Sequence, residues 1–270
     1  MFSNLKLWLH RPEMFVYNRV QINIVHYLGT ACMLWAAVTM VAWEWWALSV
    51  FTYFLTGCLG LTITFHRHMS HNSFQFKYSW MRNLFALFGQ LGGTGSAILW
   101  TAIHIKHHKH ADDEEHDPHG PHNGLKQFLV IGYPAVNPRI VKRFLRDKVL
   151  MAMHKYYSLI LFGYWAALLA IGLATGLGPM LLIFMGIIPA SLQIWISVSS
   201  TYFNHSWGYR NFELKDKSFN TWWLCLFNWG ESWHNNHHKS PQKYDNRVKW
   251  WELDISALVI KYFLMKKKEV

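Results

Sequence analysis

The feature that most limits the fold is where charge is missing. The 54 residues between Lys155 and Arg210 carry no Asp, Glu, Lys or Arg, and the 47 residues between Arg19 and Arg67 carry one, Glu44. A helix crosses the roughly 30 Å hydrocarbon core of a bilayer with about 20 apolar residues, so each stretch has room for two crossings and a tight turn. Gly176, Gly178 and Pro179 break the second stretch near its middle. Trp43, Glu44, Trp45 and Trp46 mark the turn of the first, with tryptophans at interface depth. The pattern predicts an all-α membrane protein. Its four transmembrane helices form two hairpins near residues 22–41, 45–64, 157–175 and 180–200, with a cytoplasmic helical cap, in a single domain over residues 1–270.

A third uncharged run, 83–105, is long enough to cross but contains Gly89, Gly92, Gly93 and Gly95 with Gln90, Thr94 and Ser96. Irregular backbone at membrane depth is tolerated only against protein or a water-filled cavity. The run is therefore expected to be a helix lying in the interface. With four crossings, all 26 Lys and Arg residues fall on one side, three before the first span, twelve between the hairpins and eleven after the last. The excess of positive charge on cytoplasmic loops then puts both termini and the middle region in the cytoplasm. The +11 net charge reads as this one-sided basic face, attracted to lipid headgroups, and no nucleic-acid partner is expected. The first twenty residues hold no apolar core of the length a cleavable signal needs.

Composition excludes several classes. At 52% apolar and 17% aromatic residues the chain is not disordered. A mean hydropathy of +0.05 means that a substantial polar part accompanies the spans. Three distant cysteines, Cys32, Cys58 and Cys225, make no disulfide framework, zinc ribbon or iron–sulfur site.

Seventeen histidines outnumber the fifteen acidic residues, and they cluster. His66, His68 and His71 follow the second span. His104, His107, His108 and His110 follow the interfacial helix. His205 follows the last span, and His234, His237 and His238 lie near the C-terminus. On a helix, positions i, i+3 and i+4 share a face, so His104/His107/His108 and His234/His237/His238 each aim three imidazoles at one point. His66 and His71 are five apart, about 140° on an ideal helix. They share a centre only if the helix ends or distorts between them; otherwise they serve two centres. His10, His26 and His154, isolated in the sequence, are read as having no metal role. His68, His110, His116, His119 and His122 are out of phase and read as supporting or solvated groups. Nine imidazoles exceed one ion's needs, and neutral imidazole suits iron, zinc, copper and nickel. Two metals beside an apolar interior point to oxygen chemistry on a hydrocarbon. Asp112, Asp113, Glu114, Glu115, Asp117 and Glu231 either orient these imidazoles or are solvated.

The chain resembles the membrane fatty-acyl desaturases, the stearoyl-CoA-type Δ9 group and its bacterial acyl-lipid relatives. The resemblance covers about residues 20–245. Three histidine boxes in order carry it: HxxxxH at His66–His71, HxxHH at His104–His108, and HxxHH at His234–His238. Trp100 precedes the second box, Asp117-Pro118-His119 follows it, and His205-Ser206-Trp207-Gly208-Tyr209-Arg210 is similar to the segment holding the family's ninth histidine. The resemblance implies oxygen-dependent insertion of a cis double bond, at Δ9, into a saturated acyl chain, with O2 as co-substrate. It implies two iron ions held by His66, His71, His104, His107, His108, His205, His234, His237 and His238. The family has an asparagine holding one iron through water four residues before the ninth histidine; here that position is Thr201, with Asn204 as a substitute. Acyl-CoA-specific members carry an Arg-Asp pair before the second box. Ala102 and Ile103 stand there, which leaves acyl-lipid and acyl-carrier-protein substrates open beside acyl-CoA.

Trp100, Trp222, Trp223 and Trp229 are candidates for the wall of an apolar tunnel, or else are interface or core aromatics. No fused electron-transfer module is expected, so a separate ferredoxin or cytochrome b5 is expected as donor, docking near Lys239, Lys243, Arg247 and Lys249. A hydroxylase or ketolase of the same superfamily, acting on an alkane, carotenoid or sphingolipid, is the alternative. A histidine-rich metal transporter would need ionisable groups along its spans, and the last two have none.

Overall fold

The structure is a computed structural model that describes residues 18–119 and 124–266. It is helical. Among the described residues the only β pairing is in isolated bridges, Phe76–Met265, Tyr209–Asn220 and Asn220–Trp233. The elements that position the site are α1 (Arg19–Val38), α2 (Trp43–Ser70), α3 (Ser79–Leu91), α4 (Ala97–His110), α5 (Lys148–Lys155), α6 (Tyr157–Ala174), α7 (Leu182–Phe203), α8 (His234–Lys239) and α9 (Ile255–Leu264).

Three of these, α2, α6 and α7, are long and apolar enough to cross a membrane. α1 has 20 residues, about 30 Å of helix, but its first turns carry Gln21, Asn23 and His26. Those groups have partners. Asn23 Nδ2 donates to the Ile131 carbonyl at 2.7 Å, Gln21 Oε1 accepts from Ser158 at 2.6 Å, and His26 Nε2 meets the Phe128 carbonyl at 3.2 Å. The side chain of Asn18 caps the helix by accepting from the Gln21 amide.

α2 is the spine. It begins as an α-helix over Trp43–Tyr53 and continues over Phe54–Ser70 with i→i+5 hydrogen bonding, a π-helix. Side chains reinforce that wider turn: Thr64 Oγ1 donates to the Leu59 carbonyl and Ser70 Oγ to the Phe65 carbonyl, both five residues back. The helix therefore runs past the expected end at residue 64, and His66 and His68 lie on it rather than after it. Cys58 through Arg67 are all buried. α3 crosses α2 at Gly60 and Gly89, where a Cβ on Gly60 would stand 2.3 Å from the Gly89 nitrogen. Only two glycines let the backbones approach so closely, as in membrane helix pairs, where packing rather than water exclusion drives association. α6 is peripheral: Leu159 and Leu173 are exposed, an apolar surface of the kind lipid covers.

The single interfacial helix expected over 83–105 is two helices. Gly92 to Ser96 turn between α3 and α4, with Gly93 at φ +78° and Gly95 at φ +102°, conformations that a side chain disfavours. Ser96 then caps α4 by accepting from the Leu99 amide. The second histidine group consequently sits on α4 itself, not beyond a helix end.

Candidate metal centre

The nine imidazoles named from the sequence meet where α2, α4, α7 and α8 converge. They separate into two groups, His66, His71, His104, His108 and His237, and His107, His205, His234 and His238, each with its ligand atoms within 4.8 Å of one another. The π-helical turn makes the first group possible. The His71 amide donates to the His66 carbonyl, five residues back, and the two rings meet edge to face with centres 4.9 Å apart. On α4, His104 and His108 are one turn apart and face the first group. His107 is rotated into the second, so one HxxHH box serves both groups. On α8, His237 joins the first and His234 and His238 the second.

The ring nitrogens converge as ligands would. Nε2 atoms face one another at 3.1 Å for His66–His237, 2.9 Å for His71–His104, 3.0 Å for His108–His237 and 3.0 Å for His205–His234. Two nitrogens at right angles around an ion with bonds near 2.1 Å stand about 3 Å apart. His107 Nε2 and His238 Nε2 are buried with no hydrogen-bond partner, which is costly unless something else binds there. Burial first, and then the neighbouring imidazoles, hold His71, His104, His107, His108, His234, His237 and His238 well below the ordinary imidazole range. They are thus neutral near pH 7, the form that binds metal. The donor set fits a pair of borderline ions.

Four carboxylates fix the outer nitrogens. His107 Nδ1 donates to both oxygens of Asp117 at 2.9 and 3.0 Å, and His205 Nδ1 to those of Asp112 at 3.1 and 3.2 Å. His66 Nδ1 lies 2.6 Å from Glu231, and His238 Nδ1 lies 3.3 Å from Asp216. The bonds to Asp117 and Asp112 set the tautomer that leaves Nε2 of His107 and His205 free for an ion. Burial pushes the Asp117 carboxyl up to about 6, against the His119 and Asp112 amides that favour the carboxylate. Burial also works against the Glu231 charge, but Arg67 and His66 hold it below its ordinary value. Arg67, itself buried, bonds Glu231 at 2.8 Å and Asp254 at 3.0 Å and so ties the first box to the C-terminal segment. Of the acids near the clusters, Asp112, Asp117 and Glu231 touch the imidazoles; Asp113 pairs with His116 at the surface, and Glu114 and Glu115 are exposed. Asp216 went unnoticed in the sequence, because nothing local links it to His238.

Of the remaining histidines, three meet backbone or hydroxyl partners. His68 meets the Phe74 carbonyl, His26 that of Phe128, and His154 is hydrogen bonded to Ser96 Oγ. His119 stacks on His107 at 4.4 Å. His10 and His122 lie outside the described residues.

A cavity runs from both imidazole groups into the helix bundle. Trp100, Leu61, Ile103 and Ile196 wall it; Tyr53, Gln193 and Trp229 also line it, away from the imidazoles. Trp100 stacks on His104 at 4.9 Å and 12°. Trp229 packs on Tyr53 and Phe54. Trp222 is exposed and Trp223 packs on Phe203, so neither of these tunnel candidates lines the cavity. Tyr53 lies 13 residues before His66, at most about 20 Å along the helix. Thr201, His119 and Tyr133 line both this cavity and a more polar vestibule with Arg19, Lys126, Glu114 and Glu115 at its rim.

The fatty acid desaturase family model matches residues 43–261. Among similar proteins, an sn-2 palmitoyl-lipid 9-desaturase of Nostoc sp. (strain 36) is 31% identical over 87% of this chain and 84% of its own length. An sn-1 stearoyl-lipid 9-desaturase of Anabaena variabilis is 31% identical over 88% of each. Delta-9 acyl-lipid desaturase 2 of Arabidopsis thaliana is 31% identical over 81% of this chain and 72% of its own length. The chain therefore belongs to the fatty acid desaturase family and is a membrane-associated oxidoreductase that desaturates fatty acyl chains.

Proposed function

We propose that this chain places a cis double bond at the ninth carbon of an acyl chain esterified in a membrane lipid, using two irons held by the nine histidines. The observation that carries this reading is the division of those imidazoles into groups of five and four at the mouth of an apolar cavity. The similar proteins named above support the position of the bond and the lipid-bound substrate. The vestibule supports the latter too. Its rim balances Arg19 and Lys126 against Glu114 and Glu115, poor electrostatics for the phosphates of coenzyme A or for an acidic carrier protein. Leu125, Leu129 and Val130 beside it are exposed and apolar, as expected of a mouth that opens toward the bilayer.

In this reading α1, α2, α6 and α7 cross the membrane, and the cap, both termini and the histidines are cytoplasmic. When bound, the metal pair would activate dioxygen, the oxidant that, with two electrons from the donor, takes up the two hydrogens lost from adjacent carbons and leaves as water. The protein's own groups do the rest. Trp100 and Ile103 hold one methylene pair near the imidazoles, and Tyr53 and Trp229 limit how far the chain enters, which selects the bond. Asp112, Asp117, Asp216 and Glu231 keep the imidazoles in register.

The tenth, water-mediated position falls to Asn204 rather than Thr201. Thr201 Oγ1 already donates to the Ser197 carbonyl at 2.9 Å, whereas Asn204 Oδ1 is buried beside His205 without a partner. Asn204→Leu is expected to weaken iron binding in the four-histidine group by about ten- to a hundredfold, and Thr201→Val to leave it unchanged. Iron content after mild chelation reads both, and the opposite pattern would return the role to Thr201.

The function itself is tested by expressing the chain in a host without desaturases and following labelled palmitate and stearate by lipid class. Monoenes unsaturated at carbon nine should appear first in glycerolipids. Hydroxylated products would favour the hydroxylase alternative, and label appearing first in the acyl-CoA pool would overturn the lipid-bound substrate.

A further inference from the structure

The loop after α4 carries a second set of metal-type side chains, separate from the nine imidazoles. His110, at the end of α4, with Asp113 and His116, presents ligand atoms that all lie within 4.8 Å of one another. The His110 and His116 rings are nearly parallel, 27° apart, with centres at 5.3 Å. Asp113 Oδ1 accepts the amides of Glu115 at 3.0 Å and His116 at 2.9 Å and lies 3.1 Å from His116 Nδ1. The carboxylate is thus held in place by the loop's own backbone. The His116 and Asp113 side chains are 53% and 46% exposed, so a dissolved ion reaches them freely.

Two imidazoles and one carboxylate are donors for zinc, nickel, copper or ferrous iron. They do not suit calcium or magnesium, which take oxygen ligands, and there is no thiolate for copper(I). Three protein ligands leave positions for water, which makes an open and exchangeable site rather than a closed structural one.

The neighbours of Asp113 give the site a consequence. Asp112 holds His205 and Asp117 holds His107, two members of the four-histidine group. The Asp117 amide donates to the Asp113 carbonyl at 2.9 Å, and Asp117 Oδ2 accepts the Asp112 amide at 2.9 Å. An ion on Asp113 therefore orders the loop that aims two buried imidazoles, and by linkage the buried group biases the loop in return. We propose that His110, Asp113 and His116 form a third, exchangeable site for a divalent ion of the zinc class, coupled through residues 111–117 to the four-histidine group.

The test uses the full chain, free of any polyhistidine tag and carrying its iron. Zinc is titrated in competition with a chromophoric indicator, iron content is followed in parallel, and hydrogen exchange is measured over 111–117. The expected result is one zinc per chain taken up with iron retained. Affinity should fall at least about tenfold in His110→Ala and in His116→Ala, and stay unchanged in Glu114→Gln. Zinc should also slow exchange over 111–117. No uptake, uptake only in exchange for iron, or uptake indifferent to both histidine substitutions would overturn the site. Uptake without slowed exchange would overturn the coupling.

Discussion

Alanine at His107 or at His237 is expected to abolish desaturation while the chain still inserts into the membrane. His237 Nε2 faces both His66 and His108, at 3.1 and 3.0 Å, so its loss opens the centre of the five-histidine group. Loss of His107 leaves three imidazoles in the other group and strands Asp117, a buried carboxylate whose imidazole partner is gone. Removing a group that merely orients a metal ligand costs about ten- to a hundredfold, so loss of a ligand should cost at least about a hundredfold in turnover. Iron per chain should fall from two toward one in each variant. His26→Ala and His154→Ala remove histidines bonded to the Phe128 carbonyl and to Ser96. They should keep both irons, although His26→Ala leaves a carbonyl unpaired at about 1–3 kcal/mol. Turnover, iron content and membrane fractionation, measured together, separate these effects. Full activity in either ligand variant would contradict the assignment.

Turnover should also depend wholly on an added electron carrier and its reductase. The sequence contains no haem motif, no clustered cysteines and no dinucleotide-binding glycine pattern, so a nicotinamide alone should give nothing. In the proposed topology the cytoplasmic face carries all 26 basic residues, and Glu44 is the one acidic residue beyond the membrane. Such a face steers a small acidic ferredoxin or cytochrome b5, and the steering weakens once the Debye length falls to about 8 Å or below. The rate at fixed, limiting donor concentration should fall as salt rises. Within the suggested docking edge, Arg247 is already paired with Asp245 at 2.7 Å, and Lys249 lies over the Tyr209 ring at 4.5 Å. Lys239→Glu and Lys243→Glu should therefore raise the donor concentration at half-maximal rate more than Arg247→Gln does. Activity with NADPH alone would overturn the donor argument, and donor-dependent activity indifferent to salt would remove its electrostatic part.

Much of this protein was legible before folding because the bilayer and the metal impose local rules. Runs of 54 residues without a charge and 47 with one announce apolar helices whatever surrounds them, and HxxHH spacing puts imidazoles on one helix face by geometry alone. The choice of nine candidate ligands, the out-of-phase reading of His68 and the isolation of His154 needed nothing more. Pairing did need more. Whether His66 and His71 share a centre depended on the π-helical winding of α2, which the packing of Gly60 on Gly89 accompanies but which no local rule predicts. The gap between α3 and α4 depended on two left-handed glycines that hydropathy does not register. Division of the boxes into five and four, the carboxylate of Asp216 behind His238, and the aromatic lining of Tyr53 and Trp229 all join residues distant in the chain. Sequence by itself singled out the nine candidate ligands, because ligand chemistry belongs to each residue. Only the tertiary structure decided which of the two groups each of them joins, because that depends on how α2, α4, α7 and α8 are rotated against one another.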